Sequence, residues 1–205
     1  MRTRSRRLVL AAALTACVVG RASAQSPPTS LSQASRDTLR RLADSTRAMG
    51  LPTEPLLAKA AEGALKGASD ARVLHAVRTL MRELHDARAA LAPGASTGTL
   101  VAAASALHAG VSREGIGRVA LAREASDGDL GLAFVTLADL VANGVPVTDA
   151  TTAIVDLVSR RAGEAELTVL RLGVARDVGT GRTPADALQT YTSQLLKALE
   201  RKGGD

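Results

Sequence analysis

Few residues in this chain could do chemistry, and each lacks a partner that its chemistry requires. Gly94-Ala95-Ser96-Thr97-Gly98 spells G-x-S-x-G, the sharp turn on which serine hydrolases expose their nucleophile. That turn needs a strand in front of it, and an acid followed by a histidine behind it. Here Val73 to Leu91 is a long helical stripe, and the only later histidine is His108. Ser96 or Thr97 therefore reads as the start of a helix. Gly115-Ile116-Gly117-Arg118-Val119-Ala120 fits G-x-G-x-x-A, but an Ala-rich helical stretch precedes it where a dinucleotide site needs a strand. The two glycines read as close packing near the beginning of a helix.

Metal chemistry fares no better. Asp127-Gly128-Asp129 resembles the opening of a calcium loop, yet Ala138 stands where the closing bidentate glutamate belongs. Asp127 and Asp129 read as caps of the next helix. His75 and His85 are ten residues apart, about 80° around a shared helix, which is no ligand spacing. Glu62, Glu114, Glu124, Asp156 and Glu166 could each supply a carboxylate, but no spacing selects two of them. The expectation is no catalytic, cofactor or metal site.

One chemically special residue remains, Cys17, the only cysteine. It ends Leu14-Thr15-Ala16-Cys17, which looks like a bacterial lipobox, and it lies inside a leader. Residues 1–7 are rich in arginine, Leu8 to Val19 is apolar, and Ala22-Ser23-Ala24 is a small-residue exit before Gln25. A basic head, a short apolar middle and an A-x-A exit make an export signal. The apolar run falls well short of the ~20 residues that span a bilayer. Two processing routes follow. Cleavage between Ala24 and Gln25 gives a soluble periplasmic or secreted chain, the preferred reading. Lipidation at Cys17 gives an envelope-anchored one.

Removing the leader changes the charge reading. The chain carries 26 basic and 20 acidic residues, but five of the arginines precede Gln25, which leaves 21 against 20. No later segment has more than two adjacent basic residues, so a phosphate-tracking stripe is missing and no nucleic-acid partner is expected. Phe134 and Tyr191 are the only aromatics, too few for stacking platforms.

The elements that must position these residues are helical. Gln25 to Ala34 reads as a polar tether, and a single domain follows over residues 35–205. In it apolar residues recur at three- and four-residue steps, and Ala, Leu, Arg and Glu dominate. Two such stripes are Leu56, Leu57, Ala60, Ala61, Ala64, Leu65 and Val73, Leu74, Val77, Leu80, Met81, Leu84, Leu91. Breaks at Gly50, Gly67, Gly110, Gly144 and Gly181 each fit a helix C-terminus closed by a left-handed residue. Thr183-Pro184-Ala185-Asp186 fits an N-cap with Pro at the first position. Helices are predicted near 36–48, 54–66, 70–91, 98–109, 113–125, 129–143, 148–161, 164–178 and 184–201.

Gly110, Gly144 and Gly181 lie 34 and 37 residues apart, each between two amphipathic helices. A period near 34 is that of stacked helical hairpins. The expected fold is all-α, short hairpins stacked as a degenerate solenoid-like array, with a compact irregular bundle as the alternative. The expected function is a non-enzymatic exported module that binds another envelope protein. The alternatives are a small-molecule or lipid-binding helical domain, or a hydrolase with an unrecognised site.

Overall fold

The computed structural model describes residues 31–122 and 129–202. Cys17, Ala24, Gln25, Asp127 and Glu124 lie outside the described residues, as do residues 123–125 of the fifth predicted helix. Among the described residues the secondary structure is entirely helical, in nine helices. They are α1 (Gln33–Ala48), α2 (Glu54–Leu65), α3 (Asp70–Ala90), α4 (Thr97–His108), α5 (Arg113–Ala122), α6 (Gly131–Ala142), α7 (Val147–Ser159), α8 (Glu164–Gly179) and α9 (Pro184–Lys202). The all-α class read from the periodicity is correct.

One turn design recurs along the chain. At the end of α4 the Gly110 N–H donates to Leu107 O at 2.9 Å and the Val111 N–H to Ala106 O at 3.0 Å. Gly144 and Val145 repeat the pair at the end of α6, at 2.9 and 3.1 Å. These double bonds close the last helical turn and need a residue with positive φ, 104° at Gly110 and 86° at Gly144, where a Cβ is disfavoured. The next residue, Val111 or Val145, turns into the core and is buried. After α7 the same bonds are made by Arg161 and Ala162, so an arginine sits at φ 60° where the other turns have glycine.

Helix starts follow the sequence reading closely. Ser96 caps α4, accepting the Thr99 N–H at 3.0 Å. Thr183 caps α9, accepting the Asp186 N–H at 3.2 Å. Two starts differ by more than one residue. The domain begins before Ser35: Leu31 is buried, Ser32 caps α1 and Gln33 already lies in the helix. A leucine flanked by polar residues carries too little pattern to reveal a docking site. The sixth helix begins at Gly131 rather than Asp129, because the Asp129 carboxylate turns back to accept the Gly131 N–H at 2.7 Å.

Packing places helices beside near neighbours in the chain. α3 touches α1, α2, α4 and α5. Beyond it α4, α6 and α8 pack in succession, as do α5, α7 and α9. Among its buried hydrophobic residues Phe134 is the one aromatic, packed in the same core as Leu100, Ile116, Leu137, Leu140, Ile154 and Leu157. Each such side chain contributes about 1.5–3 kcal/mol when fully buried. Of the α2 stripe, Leu56 and Ala60 are in the core, whereas Leu65 is 88% exposed. The last turn of α2 meets α3 through Gly63, where a Cβ would lie 2.9 Å from Val73 Cγ2, and Leu65 points to the other side.

Candidate functional site

Three helices leave space between them at the N-terminal end of the domain. α2 presents Pro55, Ala58, Lys59 and Glu62, α3 presents His75, Ala76, Thr79, Leu80 and Glu83, and α4 presents Val101, Ala104, Ser105 and His108. On each helix these positions recur at three- and four-residue steps, the spacing of a single face. The groove between the faces has a volume of about 630 Å³. Its floor is small and apolar (Ala76, Leu80, Val101, Ala104), and its rim is polar. Ala58, Lys59, Glu62, His75, Ser105 and His108 are exposed, so the groove is open along its length.

The rim charges are mostly engaged with one another. The His108 Nδ1 lies 2.8 Å from the Glu83 Oε1, tying α3 to α4, and the Glu83 side chain is largely buried. Glu62 receives hydrogen bonds from Lys66 and Lys59, and these two ammonium groups hold its carboxyl below the usual glutamate range. His75 has no hydrogen-bond or ion-pair partner among the described residues.

Glu83, His108 and Ser105 superficially compose an acid, a base and a nucleophile. The Ser105 hydroxyl, however, donates back to Val101 O at 3.1 Å. Acyl transfer also needs donors aimed at the developing oxyanion, and mid-helix N–H groups are already spent in the helix. The arrangement can orient an imidazole and shape a surface.

Several residues singled out in the sequence, Ser96, Asp129 and Gly115 among them, lie at or beside helix starts. Ser96 donates to Asp129 Oδ2 at 3.1 Å besides capping α4, and Thr99 also donates to Asp129. These hydroxyls and the Gly131 N–H hold the Asp129 carboxyl below the usual aspartate range. The Ser96–Asp129 pair therefore fastens the start of α4 to the start of α6. A Cβ on Gly115 would lie 2.9 Å from Val111 Cγ1, confirming close packing there, whereas Gly117 has ordinary room. His85 stands apart from the groove beside Asp86, which Arg113 also engages. Glu166 accepts the Gly163 N–H at 2.9 Å and caps α8, and Asp156 and Glu114 take no part in the groove. Among the described residues no three metal-ligating side chains converge, and no helix is long and apolar enough to cross a membrane.

The groove and its Glu83–His108 pair escape sequence reasoning. Those two residues are 25 positions apart on different helices, and their meeting depends on how α3 and α4 cross. The available signal was local: Ala58, Ala76 and Ala104, small residues on three different helices. No family model matches the chain, and neither a curated protein nor a solved structure is significantly similar to it.

Proposed function

We propose that this chain is an exported, non-enzymatic envelope protein that holds a segment of another envelope protein in the α2–α3–α4 groove. The observation that carries the reading is the groove itself, open along its length, small and apolar beneath, polar at the rim. Such a trough suits the apolar face of a partner helix or extended segment, whose polar side stays in water. The succession of α4, α6 and α8 beside α5, α7 and α9 supports a stacked-hairpin array, an architecture that exposes extended surfaces. Val169 and Leu172, neighbours on α8 and 49% and 58% exposed, add apolar surface away from the groove. Binding of a small amphiphile is the second reading, since about 630 Å³ falls within the ligand-pocket range. Open walls favour a partner over it, because they leave one side of a ligand wet.

Export rests on the leader, with the chain starting at Gln25 or at a lipidated Cys17. Substituting Cys17→Ser separates these, releasing the protein from the membrane fraction only if Cys17 is acylated. The groove is tested by a photo-crosslinking residue placed at His75 in protein made in its own envelope. One discrete protein adduct that disappears on Ala76→Glu is the expected result. Absence of adducts, together with co-purifying lipid that the same substitution removes, would overturn the partner reading in favour of the amphiphile.

A further inference from the structure

We infer that the precursor folds before export and leaves through the translocase that reads paired arginines and carries folded cargo. The inference rests on the export reading above and on two independent observations. The first is in the leader. Ser5-Arg6-Arg7-Leu8-Val9-Leu10 sets two adjacent arginines directly before the apolar run, with a serine ahead of them. That is the pattern of a twin-arginine signal. The run itself is only modestly apolar, with Ala11, Ala12, Ala13, Thr15 and Ala16 at its centre. Arg21 sits behind it, just before the exit. A general secretory signal inserts with that far flank crossing first, and a positive charge there resists translocation. A carrier of folded cargo that recognises the paired arginines tolerates it.

The second observation is the fold. Among the described residues the packed core already includes Leu31, which is 3% exposed, and the Ser32 N–H donates to Asp70 Oδ2 at 3.1 Å. Between the exit site and Leu31 lie the six residues Gln25 to Ser30, which can span at most about 20 Å. The domain also folds too early for a route that needs an unfolded chain. Its helices pair with neighbours one or two places away in the chain, and helical folds with such local contacts form in microseconds to milliseconds. Synthesis of 205 residues takes ~10–40 s at ~5–20 residues/s. No cysteine follows Cys17, so folding waits on no oxidising compartment.

The test uses the full precursor in a bacterial host and the double substitution Arg6→Lys with Arg7→Lys, which keeps the charge and removes only the arginine pair. The wild type should be processed and recovered from the envelope. The double variant should lose the processed form and accumulate as a protease-resistant, folded precursor in the cytoplasm. Export of the double variant at the wild-type level, with wild-type export blocked by azide inhibition of the general secretory ATPase, would overturn the inference. A wild type that is never processed or found in the envelope would instead remove the export reading, and the inference with it.

Discussion

The two ends of the domain are built from similar material and finish differently. At the α8–α9 end, a small residue faces a large one: a Cβ on Gly173 would come within 2.5 Å of two Tyr191 ring atoms. The ring fills the space between the helices, and its hydroxyl accepts from Arg176 at 2.5 Å while donating to Asp177 at 3.3 Å. Arg182 completes the cluster by donating to Asp177 at 3.1 Å. At the α2–α4 end, Ala58, Ala76 and Ala104, one from each helix, line a groove of about 630 Å³ that stays open. A small residue on a helix face is thus a socket in one place and a vacancy in the other. The deciding factor is what the neighbouring helix presents.

The sharpest way to break this comparison is to enlarge a small residue at each end. Gly173→Ala should cost about 2 kcal/mol, because the added methyl must displace the Tyr191 ring from a packed position. Chemical denaturation reads the loss, and a double-mutant cycle with Tyr191→Ala should show strong coupling between the two sites. Stability unchanged by Gly173→Ala would mean the ring moves aside freely and the socket is not one.

The turn that leads into α8 offers a gain in place of a loss. Arg161 holds a left-handed conformation that costs a side-chain-bearing residue about 1–2 kcal/mol. Arg161→Gly should raise stability by about 1 kcal/mol, visible as a higher denaturant midpoint. A drop would show that contacts of the Arg161 side chain outweigh its backbone strain.

Acid should distinguish the ends more gently. Burial pushes the Asp177 carboxyl up, but hydrogen bonds from Arg182, Tyr191 and Arg176 outweigh it and leave the group below the usual aspartate range. A carboxyl lowered by folding adds stability above its ordinary value, and that stability is lost as pH falls through the lower folded value. Asp177→Asn should therefore flatten the acid limb of a stability–pH curve measured by urea midpoints. Glu62 is lowered too, by two exposed lysines at the groove rim, and Glu62→Gln should alter the curve less because solvent screens those pairs. Equal flattening by both variants would erase the distinction between a knitted end and an open one.

The smallest effect on stability should come from the groove. Ala76→Leu extends into unfilled space and should change stability by no more than about 0.5 kcal/mol. The same substitution should abolish the crosslink from His75, so binding and stability separate at this site. A large loss of stability would show that the floor is already packed.

Much of this contrast was hidden from the sequence, for a definable reason. Helix extents were legible because apolar spacing and glycine breaks are local, and Gly110, Gly144 and Thr183-Pro184 fall where their turn and cap chemistry demands. The exceptions are instructive. Leu65 continues an apolar spacing yet faces solvent, and Leu31 belongs to no spacing yet is buried. Periodicity reports which face of a helix is apolar, not which helix lies against it. Gly173 over Tyr191 and Glu83 beside His108 are both products of crossing geometry. One closes a space and the other borders one, and the same spacing rules describe both.

Tyr191 has a further consequence. With no tryptophan in the chain, this one phenol is nearly the whole of the protein's intrinsic ultraviolet emission, and it reports on a single joint. Its fluorescence follows the seating of α9 on α8, while far-ultraviolet dichroism follows every helix together. If the last hairpin loosens before the rest, the two signals will part on heating, and the molecule will have timed its own opening without a label.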